Sequence, residues 1–321
     1  MDMRRRRHLG VIRWRRHVAL KRIAAALPRS SPQQHREIAR DSYAHLALAL
    51  LWFLRLPHVD SVERLVEIDT DSQLQLQCLR SQLQSLEQDE CTASTRSAIV
   101  MSGHMGMWEL LPRLLAASSV LPAHSQWVVY RPLHNTKVNA LVEKLREGDH
   151  RTLVEDKSCF GTLRDALSTG DCNVPSIVGL VSDQRSSNPT ERCAVHFLGH
   201  SAFFPTGAAR LHQATGASLW FTAVVMNDSS TSRRSYPFKL VLRQVRSFSL
   251  DLALACTHSC RISAKQIRHS QQSGKETIAE QTASITRTFA AELERVVLTY
   301  PTQYLWMHNL WASKAVSLVA G

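Results

Sequence analysis

The alternation of apolar and polar positions changes character near residue 98. Upstream, apolar residues recur at helical spacing and predict a helix over 33–56, which carries the apolar run 46–54 and stops at Pro57. A second helix is predicted over 62–86, a stretch rich in Gln and Leu that contains neither Gly nor Pro. These segments predict an N-terminal helical region.

Downstream, short apolar runs alternate with amphipathic segments. The predicted strands span 98–101, 126–130, 151–154, 175–181, 218–226 and 236–245. The predicted helices span 109–117, 136–147, 160–168, 206–214 and 276–298. Residues 250–275 are polar and irregular and are predicted to form a loop. Strands that alternate with helices predict an α/β fold with a central, mostly parallel sheet flanked by helices.

Positive charge is concentrated at the start of the chain. Nine of the first 22 residues are Arg or Lys and one is acidic, within a net charge of +12. Apolar residues and Trp14 lie between them, which favours an amphipathic helix on an anionic membrane surface over a solvated basic tail. We therefore expect residues 1–57 to form a basic, amphipathic membrane-association region and residues 58–321 to form the α/β domain.

Apolar run length, motifs and cysteine content limit which partners and which cellular location are expected. The apolar run 46–54 falls well short of the roughly 20 residues that a membrane span needs, so the predicted association is peripheral. The chain has no finger, helix-turn-helix or aromatic sheet signature, so no nucleic-acid partner is expected. Seven scattered cysteines without a disulfide framework are typical of a reducing compartment.

One group of cysteine and histidine residues is a weak candidate for a metal site. Cys256, His258 and Cys260 lie close together in the sequence, but their spacing is not that of a usual structural zinc site. No other group has ligand spacing that points to a metal. The sequence therefore predicts no bound metal and no cofactor.

The stretch 98–112 carries the candidate chemistry. His104 lies in a glycine-containing turn after a predicted strand, and Glu109 follows five positions later. On a continuous helix the two side chains would point about 140° apart, so they can meet only if His104 precedes the helix. Pro112 supports this placement, because proline is tolerated near a helix start. A histidine oriented by a carboxylate is the base of many acyl-transfer sites, although a structural turn histidine would show the same local pattern.

The nucleophile of such a site is not supplied by a recognisable protein motif. No serine lies in a G-x-S-x-G elbow anywhere in the chain. The hydroxyl group of the acceptor would then attack directly. That arrangement indicates a transferase rather than a hydrolase.

Five blocks of sequence, in order along the chain, resemble the bacterial lipid A biosynthesis acyltransferases, a group within the lysophospholipid acyltransferase superfamily. The blocks are SGHMGMWE at 102–109, YRPLHN at 130–135, GLVSDQ at 179–184, VHFLG with PTG and TGA over 195–217, and YPTQYLWMH at 300–308. A single His-x4-Glu motif is weak, whereas five blocks in register are specific. The resemblance covers most of residues 24–311.

The resemblance implies a reaction and a set of site residues. His104 would be the general base and Glu109 would orient it, while an acyl chain passes from acyl carrier protein or coenzyme A to a hydroxyl of a lipid A precursor or a related glycolipid or lysolipid. Arg131 or Arg146 would bind phosphate. The implied substrate-binding residues are Arg131, Asn135, Arg146, Asp183, Gln184 and Gly207. The implied location is the cytoplasmic face of the bacterial inner membrane, against an anionic membrane surface.

One departure from the family pattern leaves a second interpretation open. Met107 stands where the family usually has Asn. Loss of a polar group beside the base would be consistent with a catalytically degenerate member that only binds lipid. A basic nucleic-acid-binding protein is a third alternative, and salt-sensitive binding to DNA rather than to anionic vesicles would favour it.

Overall fold

A seven-stranded sheet runs through the protein, with helices on both faces. The computed structural model describes residues 15–84, 96–169, 174–184, 188–227, 236–245, 277–308 and 311. Its strands are β1 (Val66–Ile68), β2 (Ala98–Ser102), β3 (Ser125–Tyr130), β4 (Arg151–Glu155), β5 (Ser176–Val181), β6 (Arg192–Phe197), β7 (His200–Pro205), β8 (Ser218–Met226) and β9 (Phe238–Gln244). Its α-helices are α1 (Arg16–Ala26), α2 (Pro32–Arg55), α3 (Thr70–Gln84), α4 (Leu111–Ala116), α5 (Thr136–Arg146), α6 (Cys159–Ser168), α7 (Gly207–Thr215) and α8 (Ile278–Thr299).

The strand order is β1-β9-β8-β2-β5-β3-β4. From β8 to β4 all neighbouring strands are parallel, whereas β9 is antiparallel to β8 and β1 is parallel to β9. β6 and β7 form a separate antiparallel hairpin. The predicted α/β fold, with a mostly parallel sheet flanked by helices and an N-terminal helical region, is confirmed.

The helix boundaries follow local capping signals. Ser31 and Gln34 form a capping box at the start of α2, where Pro32 occupies the first turn. Thr277 and Glu280 form the same arrangement at the start of α8. The side chain of Asn135 accepts hydrogen bonds from two backbone amides at the start of α5. These helices lie within two residues of their predicted positions because the caps are encoded locally.

One predicted element is wrong in detail, and one element was not predicted. The helix predicted over 62–86 is instead a 3-10 turn at Val62–Leu65, then β1, then α3. β1 forms because its residues find parallel partners in β9, a contact that local periodicity does not reveal. The hairpin of β6 and β7 was not predicted at all. The segment 1–14, the predicted loop 250–275 and Cys256, His258 and Cys260 lie outside the described residues.

Two apolar cores pack on the two faces of the sheet. The first core lies under α1, α6, α7 and α8 and includes Phe221 and Phe289. The second lies under α2, α3 and α4 and includes Phe53 and Trp220. Adjacent residues Trp220 and Phe221 enter opposite cores because successive strand side chains alternate between faces. In α1, Ala19 and Ile23 are fully buried in the first core, so this helix turns its apolar side chains inward.

The carboxyl ends of the central strands are joined by the C-terminal segment. The backbone amide of Gly106 donates to the carbonyl of Gln303 at 2.9 Å, and that of Met107 donates to Val224 at 2.7 Å. The side chain of Gln303 bonds both the amide and the carbonyl of Met226. The backbone after β2 is therefore clamped between β8 and residues 301–303. Among the described residues, no helix combines the length and apolar composition needed to cross a bilayer.

Gly106 is predicted to be essential for this clamp. Its φ is +54°, and an added Cβ would lie 2.0 Å from the carbonyl oxygen of Val224. We expect Gly106→Ala to lower the free energy of unfolding by about 3 kcal/mol or more, measured by urea denaturation. Gly161→Ala is the matched control, because an added Cβ there has nothing within 4 Å and the site is helical. Equal stability of the two variants would contradict the prediction.

Candidate active site

A buried carboxylate holds the histidine of the turn after β2. His104 and Asp183 follow β2 and β5, which are parallel neighbours, so their carboxyl ends meet at one edge of the sheet. Asp183 accepts from Nδ1 of His104 at 2.6 Å through Oδ1 and from the His104 backbone amide at 2.9 Å through Oδ2. These two contacts fix the ring and place the proton on Nδ1. The lone pair of Nε2 is then the basic site.

The electrostatics of the pair favour an ionised Asp183. Burial by itself raises the pKa of this carboxyl, but the charge of His104 and the hydrogen bonds from its ring and amide outweigh that effect and lower it. The hydroxyl of Tyr304 donates to Oδ2 at 3.3 Å. Burial and then the charge of Asp183 raise the pKa of Tyr304 well above its usual value, so the phenol stays a donor.

A second histidine lies beside the first. The rings of His104 and His308 have centroids 4.8 Å apart. The amide nitrogen of Gln184 lies 3.1 Å from Nε2 of His104 and 3.2 Å from Nδ1 of His308. Burial, followed by the charge of His104, lowers the pKa of His308 to about 4. His308 is therefore neutral at pH 7 and accepts from Gln184.

Glu109 does not contact the imidazole in the way that the sequence predicted. Its carboxylate receives two hydrogen bonds from Arg146, at 3.0 and 2.5 Å, and one from the indole of Trp108 at 3.2 Å. The turn at Gly106 and the 3-10 turn Trp108–Leu110 direct it toward α5. The carboxylate on His104 is Asp183, so the predicted orienting contact from Glu109 is corrected. A catalytic role for Glu109 stays a prediction.

The partnership with Asp183 was missed because the two residues are 79 positions apart. The family resemblance implied Asp183 only as one of the substrate-binding residues. The signal that could have found it is its position directly after a buried strand, since parallel neighbours bring such residues together. The strand order needed to pair β5 with β2 is not visible in local periodicity.

The other predicted site residues have varied surroundings. Gln184, one of the implied substrate-binding residues, lies next to His104. Arg131 is exposed and pairs with Asp156 at 2.7 Å. Asn135 caps α5, and Gly207 begins α7. The side chain of Met107 is 1% exposed and lies in the second core.

A cavity of about 1030 Å³ opens beside His104. Its lining includes Arg131, Arg146, Gln184 and Gly207, which places four of the predicted binding residues around one space. Apolar side chains line the part of the cavity that lies against the second core, and we call this part the apolar chamber. The chamber residues are Phe53, Val100, Leu111, Leu115, Val128 and Ile177, with Gly179 on the sheet between them. His104 thus lines a cavity whose apolar part is suited to a hydrocarbon chain.

Comparison with known families yields one extended match. A family model described as bacterial lipid A biosynthesis acyltransferase matches residues 7–313. The matched region contains the whole sheet, the cavity and both members of the His104–Asp183 pair. No curated protein matches the chain.

The depressed pKa of His308 predicts acid sensitivity. Between its ordinary value of 6.5 and about 4, the unfolded chain binds a proton at this residue and the folded chain does not. Stability is therefore lost as pH falls through this window, by up to about 3 kcal/mol. We expect urea unfolding of His308→Gln to show a correspondingly shallower decline between pH 7 and 4.5. Parallel pH profiles of the two proteins would contradict this.

Proposed function

Because the chain belongs to the bacterial lipid A biosynthesis acyltransferase family, we propose that it transfers a fatty acyl chain from an acyl thioester to a lipid hydroxyl. The proposed acceptor is a lipid A precursor or a related glycolipid or lysolipid. His104 is the proposed general base. The family makes it an acyltransferase of lipid A, and hence lipopolysaccharide, biosynthesis. The observation that carries the proposed chemistry is the 2.6 Å contact from Asp183 to Nδ1 of His104 at the entrance of the apolar chamber.

The proposed reaction proceeds through one base. Nε2 of His104 takes the proton of the acceptor hydroxyl as its oxygen attacks the thioester carbonyl. The tetrahedral intermediate collapses, the carbon–sulfur bond breaks, and the imidazolium returns its proton to the leaving thiolate. Asp183 stabilises the imidazolium between these steps. The products are the acylated lipid and the free thiol of the carrier.

Gln184 is the proposed polar donor at the reacting centre. Its amide nitrogen lies between the two imidazoles, and its contact to Nε2 of His104 must give way when a hydroxyl binds there. In the shifted position the amide can donate to the oxygen that becomes negative in the intermediate. His308, neutral at pH 7, then serves as the acceptor that keeps the amide oriented.

The polar groups at the cavity mouth suit phosphate. Arg131, His134 and Lys157 line the cavity. Acyl carrier protein and coenzyme A both carry a phosphopantetheine arm, and we propose that its phosphate binds to these residues. Asn135 and Gly207, predicted as substrate-binding residues, are proposed to act through the shape of the mouth. The Glu109–Arg146 pair is proposed to hold the wall between α5 and the turn after β2.

The proposed location is the cytoplasmic face of the inner membrane, as a peripheral protein, with residues 1–57 as the membrane-association region. The net charge of +12 supports an anionic membrane surface as a partner. The degenerate, lipid-binding alternative depended on Met107. That side chain is buried in the second core, while the His104–Asp183 pair is complete, so the geometry favours an active transferase.

Substitutions at the pair should separate the roles of the two carboxylates. His104→Ala and Asp183→Asn should each lower acyl transfer by about 10²–10⁴-fold, measured with a labelled thioester and a lipid A precursor. Glu109→Gln keeps the His104–Asp183 contact and should therefore lower acyl transfer by a smaller factor. Circular dichroism checks that each variant is folded. Full activity of Asp183→Asn together with an inactive Glu109→Gln would overturn the assignment.

The apolar chamber predicts a limit on acyl length. Gly179 lies level with Val100 and Val128, and Ile177 lies one layer deeper. An added Cβ at Gly179 has nothing closer than 3.9 Å, so a side chain fits there but fills the chamber. The blocked layer is about 7 Å deep, two strand residues.

Gly179→Val should therefore shift the preferred donor to chains several carbons shorter, seen as a change in relative kcat/KM across a series of thioesters. Gly161→Val is the control, because it adds the same side chain at an uncrowded glycine of α6 outside the cavity lining. An unchanged length profile in a folded Gly179→Val would contradict the proposed acyl position.

A further inference from the structure

The outer face of the second half of α2 is apolar. Residues 44–54 contain no Asp, Glu, Lys or Arg. The exposed positions in this stretch are Ala44, Ala47, Leu48, Leu50, Leu51 and Leu54. The four leucines are 46–63% exposed. An ordinary surface helix carries polar residues on this face, so the pattern points to a contact with something other than water.

These positions form one continuous strip. At about 100° per residue, Leu54, Leu51 and Leu48 follow Leu50 around the helix through roughly 160°. The opposite side of α2 is already used, because Ala49 and Phe53 are buried in the second core. The exposed leucines are therefore surplus to the packing of α2 on its own core.

A second apolar strip lies on α5 and the residues just before it. Leu133, Val138 and Leu141 are 45–49% exposed, and α5 has no buried residue. Leu50 from the first strip and Leu133 from the second both line the cavity. The two strips thus border one opening. We call them together the mouth collar, composed of Leu48, Leu50, Leu51, Leu54, Leu133, Val138 and Leu141.

Four exposed basic side chains lie close to the collar. Arg55, Lys137, Lys144 and Lys157 are exposed beside it. Among the nearby acids, Asp156 accepts from Arg131 and Glu143 accepts from the hydroxyl of Tyr130, whereas Glu147 and Glu191 are exposed. Leucines with lysine and arginine close to them match an interface of acyl chains below anionic headgroups.

We propose that the mouth collar docks on the surface of a bilayer that contains anionic lipid, so that the cavity opens into the headgroup layer. A second copy of this chain fits less well, because face-to-face collars would bring like charges together around a concave opening. The described part of α1 is a poor substitute, since its buried residues Ala19 and Ile23 face the first core. The docking itself does not depend on the proposed reaction, but it would deliver a lipid hydroxyl to His104.

The test is flotation of the full chain with vesicles of phosphatidylglycerol and phosphatidylethanolamine, beside neutral phosphatidylcholine vesicles. The collar variants are Leu51→Asp with Leu54→Asp, and Val138→Asp with Leu141→Asp, none of which lines the cavity. The matched control is Leu74→Asp with Ile278→Asp, which makes the same charge change at residues 55% and 74% exposed outside the collar.

We expect each collar pair to weaken binding to the anionic vesicles at least tenfold and the control pair to keep it within twofold. Leu51→Ala with Leu54→Ala removes apolar surface without adding charge and should give an intermediate loss. Thermal unfolding checks that all variants are folded. Binding of wild type should also be weaker on the neutral vesicles.

Several results would overturn the proposal. The first is that the collar variants bind the anionic vesicles as tightly as wild type does. The second is that the control pair loses as much vesicle binding as the collar variants do. The third is that wild type does not bind the anionic vesicles. A dimer in light scattering that the collar variants dissociate, with vesicle binding unchanged, would assign the collar to a second copy. His104→Ala should float as wild type does, so a failed docking test and a failed transfer assay are distinguishable.

Discussion

The hydrogen-bonded pair of Asp183 and His104 determines the geometry on which the rest of the site depends. A carboxylate removed from water is costly unless each oxygen has a partner, and Asp183 satisfies both by holding the ring and the backbone amide of one residue. The turn after β2 is therefore fixed in space together with the imidazole. Because the two residues end adjacent strands, the pair also ties the site to the centre of the sheet.

The C-terminal segment completes this arrangement from the other side. Gln303 joins the turn at Gly106 to the end of β8, and Leu305 donates its amide to the carbonyl of His104 at 3.1 Å. Tyr304 and His308 then lie directly beside the pair. Backbone hydrogen bonds and the bonds of buried side chains together hold this site, which is built from three distant parts of the chain. The proposed apolar chamber and the mouth collar lie next to this site.

Local signals predicted much of the fold. Caps at Ser31, Asn135 and Thr277 located three helices, and continuous apolar runs located the central strands, since buried parallel strands need no alternation. The failures were non-local. β1 is three residues long and exists through its pairing with β9, so the helical pattern around it concealed it. No strand was predicted for either β6 or β7.

By itself the sequence determined the class of fold, the family and the position of the candidate base His104, because periodicity, caps and the His104 motif are all written in neighbouring residues. Only the tertiary structure decided which carboxylate contacts the His104 ring. Glu109 is five positions away but bonds Arg146, whereas Asp183 is 79 positions away and bonds His104. The reason is physical: the order of strands in the sheet sets which residues meet, and that order results from packing of the whole chain.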